Sequence, residues 1–341
     1  MDDLADDRGR VRLHLVRNWW FGRKLTLPDL TRAYERWVET TEFGKIDLYL
    51  GDEIIGSRVI KLPKRGNDIY RYKLKKRLSF LDNLPEITFF DPDEAPSSWS
   101  PVPRSSKKTR ALFVTLTFDP SICDLHTAWF GDRVEKVHQR GANMGQLYYG
   151  HKSDCPCVSC SYNRWISYVR KHFGSVKVFR VYEAFQSGYP HIHALLIFEN
   201  YEFEIHYYDQ NNDCFRLSFE DRDKLRGSYH SFIDVVALYE ISPKLKGYLG
   251  KYLTKMLGGS DPKGKVKSIP PEKVSLHLSL LWVYRKKAFS VSRGFVAIAY
   301  DLISDGVSQT RDNGLRCVWA GVFTAQELGL APDVWFKWLP P

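Results

Sequence analysis

The stretch from Val176 to Phe198 narrows the fold more than any other part of the chain. It reads VKVFRVYEAF, then the turn residues Gln186-Ser187-Gly188, then the returning run HIHALLIF from His191. Two runs rich in β-branched and aromatic residues about a short polar turn predict an antiparallel hairpin. Successive side chains of a strand leave opposite faces, so His191 and His193 share one face. A turn centred near Ser187 sets Glu183 directly across from His191. Two imidazoles and one carboxylate then converge on one side of the ribbon. Three ligands with open positions suit a hard or borderline divalent ion. The expectation depends on register, because a slip of one residue turns every side chain over.

Around this hairpin the chain alternates strands and helices. Ala111–Phe118 (ALFVTLTF) reads as a strand, Tyr162–Phe173 as an amphipathic helix stopped by Gly174, and Phe232–Tyr239 (FIDVVALY) as another strand. A helix is expected from Lys244 to Leu257, opening after Pro243 and closing at Gly258-Gly259. The order β-α-β-β-β-α predicts an α+β fold, an antiparallel sheet with helices on one face. Insertions at about 120–160 and 199–230 interrupt it. Before it, a helix is expected from Pro28 to about Val38, with strands at 45–50 (KIDLYL) and 69–74 (IYRYKL). The Pro-, Ser- and charge-rich segment 91–110 reads as a linker. Three units follow: a small basic N-terminal domain over 1–100, the sheet domain with its Cys-rich insertion over 101–258, and a C-terminal extension over 259–341. That extension includes a helical run over 271–287. In its segment 280–295 (LLWVYRKKAFSVSRGF), interleaved aromatics and cations fit base stacking with phosphate contact as well as core packing.

The helix over 244–257 reads KLKGYLGKYLTKML. Tyr248 and Tyr252 are four apart and stack on one helical face, and Lys251 and Lys255 follow each by three. Tyrosine is a weak nucleophile at its ordinary pKa near 10. A neighbouring ammonium favours the phenolate and offsets charge building on a phosphate. Thr115 and Thr117 share the face opposite Val114 and Leu116; support of a site and the alternation of a half-exposed strand fit this equally. Separately, His151, Cys155, Cys157 and Cys160 gather three thiols and an imidazole within ten residues, a tetrahedral set for a structural Zn²⁺ that would order the 120–160 insertion. The segment 259–265 (GSDPKGK) has the spacing of a phosphate-binding loop but ends in Val266 where a Mg²⁺-holding hydroxyl is needed, and it follows a helix; no nucleotide cofactor is expected.

The net charge is +10, and its placement carries more than its size. Residues 57–77 hold nine basic side chains against Asp68 alone, and 244–293 hold twelve against Asp261 and Glu272. Such clusters neutralise phosphates, which makes a nucleic acid the first-choice partner. An acidic start without an apolar core is no secretory signal, and no run approaches the roughly 18 apolar residues of a membrane span, so a cytoplasmic location and no membrane partner are expected. The six cysteines do not read as a disulfide framework.

FVTLTFD at 113–119, PHIHALL at 190–196 and YLGKYLTK at 248–255 occur in that order, on strand, strand and helix. Together they resemble the three motifs of the HUH endonucleases, the rolling-circle replication initiators of plasmids and small viruses. The likeness covers Leu112 to Met256, and FIDVVALY looks like the edge strand those proteins carry. It implies a ferredoxin/RRM-like core, with His191, His193 and Glu183 holding Mg²⁺ or Mn²⁺. Tyr248 or Tyr252 then attacks a single strand at a replication origin, leaving a 3′-hydroxyl and a 5′-phosphotyrosine, beside a helicase and polymerase of a prokaryotic host. A transposase-type nuclease shares this chemistry. A relaxase fits less well, because its tyrosine usually precedes the histidines. A non-catalytic single-strand binder on an RRM-like sheet is the alternative from another class.

Overall fold

The computed structural model describes residues 2–6, 10–94, 107–139, 143–227, 229, 231–241, 271–295, 315–331 and 333–339. The chain opens with helices α1 (Leu13–Phe21) and α2 (Leu27–Glu39), then strands β1 (Glu42–Leu50) and β2 (Glu53–Lys61) and helix α3 (Asp68–Arg77). Strands β3 (Ile87–Thr88), β4 (Lys108–Thr109) and β5 (Ala111–Thr117) follow. The first insertion contributes α4 (Leu125–Phe130), β6 (Arg133–Val137) and β7 (Leu147–His151). Helix α5 (Val158–Phe173) leads into β8 (Val176–Ala184) and β9 (Pro190–Phe198). The second insertion gives β10 (Phe203–Asp209), β11 (Cys214–Leu217) and α6 (Phe219–Arg226), before β12 (Phe232–Leu238) and β13 (Glu240–Ile241). Beyond 270 come α7 (Pro271–Val283), β14 (Phe289–Val291), β15 (Leu315–Thr324) and β16 (Phe336–Leu339).

The architecture is α+β, built on an eight-stranded sheet in the order β14-β8-β9-β5-β12-β11-β10-β4 in which every pair is antiparallel. The hairpin β8–β9 forms as its sequence predicts, through the turn at Gln186–Gly188, where Gly188 takes a positive φ of 85°. Helix α5 covers one face: its Tyr162 ring lies 4.1 Å from the Arg180 guanidinium, whose side chain leaves β8 on the side opposite Glu183. Its buried stripe of Tyr162, Trp165, Ile166, Val169 and Phe173 seals that side. On the other face Phe80, from a short turn after α3, meets Phe179, which also contacts Phe289 and Phe295.

Several expectations are corrected. Residues 69–74 form part of helix α3, not a strand. Asn67 caps it by accepting from the Tyr70 amide at 2.9 Å, Asp68 sits in its first turn, and Lys75, Lys76 and Arg77 lie at the end that favours cations. Strand β12 is interior, not an edge, because the 199–230 insertion adds β11 and β10 beyond it. The linker composition near residue 100 does not separate two cores. Val16, Trp20, Leu30, Tyr34, Leu74 and Phe80 belong to the same buried cluster as the large sheet. The Trp282 ring of α7 stands 5.0 Å from Trp37 and 5.7 Å from Tyr34. A second sheet, β15-β1-β2-β16, joins the N-terminal hairpin to strands from beyond residue 314, around a small core of Phe43, Val59 and Leu330. The helical run over 271–287 ends at Val283, and Leu280–Tyr284 are buried, so Trp282 and Tyr284 are core residues. Among the described residues no helix is long and apolar enough to cross a membrane.

Candidate active site and metal cluster

Pairing of β8 with β9 aligns Glu183 with His191 and Val181 with His193, and pairing of β9 with β5 aligns His191 with Thr117 and His193 with Thr115. All of these except the apolar Val181 carry functional groups on one face of three adjacent strands. The His193 and His191 rings stand 4.5 Å apart, edge to face. His193 is buried, with 7% of its surface exposed, and its Nε2 lies 3.0 Å from a Glu183 carboxylate oxygen. Although Glu183 is opposite His191 in register, its carboxylate reaches diagonally to His193.

Both imidazoles are held from behind. Thr115 Oγ1 is 3.1 Å from Nδ1 of His193, and Thr117 Oγ1 is 3.3 Å from Nδ1 of His191. Each ring therefore presents Nε2 on its side away from the threonine. A hydroxyl both donates and accepts. It can donate to Nδ1 while Nε2–H meets Glu183, and accept from Nδ1–H when Nε2 is needed as a ligand. Threonine thus supports both tautomers without moving the ring. Two imidazole nitrogens plus one carboxylate, oriented in this way, fit a borderline divalent cation.

Sequence reasoning missed three further residues on this face. Phe185, an exposed ring, sits edge-on to His191 at 4.5 Å. Phe232, 61% exposed, is aligned with Thr117 across β12–β5. Asp234 is aligned with Thr115 and accepts from Arg216 at 2.5 Å. The strand parity of FIDVVALY was the signal: Phe232 and Asp234 had to share the face of Thr117 and Thr115. Tyr248, Tyr252, Lys251 and Lys255, together with the loop 259–265, lie outside the described residues.

The Cys-rich insertion builds a second cluster. His151 ends β7, Cys157 is the N-cap of α5, and Cys160 lies in its first turn. The ligand atoms of His151, Cys155, Cys157 and Cys160 all lie within 4.8 Å of one another, so this group could bind a metal ion. His151 Nδ1 is 3.3 Å from the Cys155 sulfur and 3.8 Å from that of Cys157. The α5 N-terminus directs its positive dipole end toward the thiols. Burial, then the neighbouring Cys157, pushes the Cys160 thiol up to about 12; burial raises Cys155 as well. Burial also lowers His151, which favours the neutral imidazole that binds a metal. Gly131, at φ 78°, packs against the cluster: a Cβ there would overlap the Cys155 sulfur and stand 2.7 Å from His151 Nδ1. Five cysteines, Cys123, Cys155, Cys157, Cys160 and Cys214, are free thiols.

No protein-family model, curated protein or solved structure matches this chain.

Proposed function

We propose that this protein is a metal-dependent single-strand DNA endonuclease and strand transferase that starts rolling-circle replication of a plasmid or virus. One observation carries the reading: Glu183, His191 and His193 meet on one sheet face with both Nδ1 atoms tied to threonines. A packing role for a pair of histidines needs neither the carboxylate nor the two hydroxyls. The exposed rings of Phe185, beside His191, and of Phe232, two strands across from it, suit stacking of unpaired bases.

In this reading Glu183, His191 and His193 hold Mg²⁺ or Mn²⁺, which supplies Lewis-acid polarisation of the scissile phosphate and fixes its position. Tyr248 or Tyr252 supplies the phenolate, favoured by Lys251 or Lys255. Its oxygen bonds to phosphorus as the bond to the 3′-oxygen breaks, and that oxygen takes a proton to become a 3′-hydroxyl. The 5′-phosphotyrosine keeps the phosphodiester's energy, so attack by a 3′-hydroxyl reverses the step and rejoins a strand without a nucleotide cofactor. The Cys-rich cluster takes zinc, a folding role that braces the insertion and the start of α5. The cell compartment that fits this function is the cytoplasm of a prokaryotic host, where a helicase and polymerase would extend the freed end.

Incubating the full chain with single-stranded origin DNA and Mn²⁺ tests the reading. A nuclease of this kind leaves a protein–DNA adduct stable in SDS, and peptide mapping by mass spectrometry finds the nucleotide on Tyr248 or Tyr252. Tyr248→Phe with Tyr252→Phe removes it. A shifted band with no covalent product from wild type identifies a binder instead.

A further inference from the structure

A cavity of about 480 Å³ lies between α3 and the edge strand β14. Arg65, Lys73, Arg77 and Lys287 line it, together with Tyr70, and no acidic side chain does. Lys73, Arg77 and Lys287 are exposed. Arg65 is largely withdrawn from solvent: its Nη2 donates to the Lys286 carbonyl at 2.7 Å, while Nη1 is buried with no hydrogen-bond partner among the described residues. A buried guanidinium N–H without an acceptor is costly, and it leaves a cation with no carboxylate partner at the cavity wall. The one carboxylate of the basic stretch, Asp68, is engaged elsewhere, accepting from Lys61 at 2.9 Å and from the Trp335 indole at 2.8 Å. It does not offset the charge of the cavity.

The β14 wall of the cavity belongs to the same sheet as the histidines. Phe289, one of its walls, is aligned with Val181 of β8, which is aligned in turn with His193 of β9. Two strand spacings, about 10 Å, separate Phe289 from His193. Four cations and a tyrosine ring along this cleft form a track for a flexible polyanion carrying bases, not a pocket for one small anion.

We infer that the cleft between α3 and β14 binds the phosphodiester backbone of single-stranded nucleic acid, leading the strand onto the face that carries His191 and His193. The inference deepens the proposed function by naming where the strand runs. It rests on that reading only for the destination of the strand.

The experiment measures binding of a labelled mixed-sequence oligonucleotide of about 20 nucleotides to the full chain by fluorescence anisotropy, in EDTA, across a salt series. EDTA removes cleavage from the readout. For Lys73→Glu with Arg77→Glu, two lost phosphate contacts at about 0.7 each make the log–log salt slope shallower by about 1.4, roughly a tenfold loss of affinity near 0.15 M salt. Lys75→Glu with Lys76→Glu reverses two exposed charges on the same helix that do not line the cavity, and should cost under about threefold. Equal losses in both variants would mean that overall charge, not the cleft, holds the strand, and would overturn the inference. So would unchanged affinity in the first variant, or no binding by wild type. If charge reversal prevents folding, Lys73→Gln with Arg77→Gln gives the same reading with a smaller loss. Wild type that binds through the cleft yet forms no adduct with Mn²⁺ would sink the nuclease reading and leave the cleft standing.

Discussion

Replacing Thr115 by Val removes one hydroxyl and keeps the shape of the side chain. That hydroxyl lies 3.1 Å from Nδ1 of a histidine with only 7% of its surface exposed. A hydrogen bond of this kind is worth a net of about 0.5–1.5 kcal/mol, or about 2- to 12-fold in an equilibrium constant. Its orienting effect adds to this, because partners that fix a ligating imidazole typically contribute about 10- to 100-fold to metal affinity. Thr115→Val should therefore weaken Mn²⁺ binding roughly tenfold. Thr117→Val should act less, under about threefold, because its contact is longer at 3.3 Å and the half-buried His191 can exchange the hydroxyl for water. Titrating Mn²⁺ into each full-length variant and following free Mn²⁺ by electron paramagnetic resonance measures both constants. Cleavage by Thr115→Val should recover when Mn²⁺ is raised, since the ligands remain. Thr115→Val within twofold of wild type, or Thr117→Val as the more damaging change, would refute the account of how the imidazoles are held.

Other outcomes follow from features already described. His191→Ala should abolish cleavage while lowering DNA affinity only modestly, since basic side chains supply most of it; equal loss of both in gel-shift and cleavage assays would make the histidine structural. Elemental analysis of the purified protein should find zinc near one equivalent, lost in Cys157→Ser. Gly131→Ala should lose it too and unfold at a lower temperature, because the Cβ meets Cys155 and His151 and the positive φ disfavours alanine. Asp29 is held at about 2 by hydrogen bonds from the Thr26 hydroxyl and amide and by Arg32. Its carboxyl is depressed, so its contribution to the start of α2 is full above pH 3.8 and fades as pH falls toward 2. Carbon-detected NMR titration should show this, and Thr26→Ala should raise the value.

What could be read in advance was local. The register of β8 with β9 followed from the three-residue turn, so the Glu183–His191 pairing was legible from spacing alone. The helix α2 was legible from Pro28 and its apolar stripe. The threonines were visible but ambiguous: alternation puts Thr115 and Thr117 outward whether or not an imidazole waits across the strand, and only the β5–β9 pairing decides. Helix α3 was misread because its alternating tyrosines and lysines imitate a strand. The Gly66-Asn67-Asp68 start, with cations crowded at the other end, held the contrary signal. The small sheet was beyond reach. Nothing within Glu42–Lys61 says that its partners lie at Leu315–Thr324 and Phe336–Leu339, because pairing across such separations depends on a tertiary frame that local preferences do not encode.

That small sheet has a consequence for how the protein is made. Its first hairpin leaves the ribosome long before either flanking strand exists, so the outer edges of β1 and β2 must wait unpaired through most of synthesis. A nascent chain halted before residue 315 should be the species most prone to stick to its own copies, and the one a chaperone would hold longest.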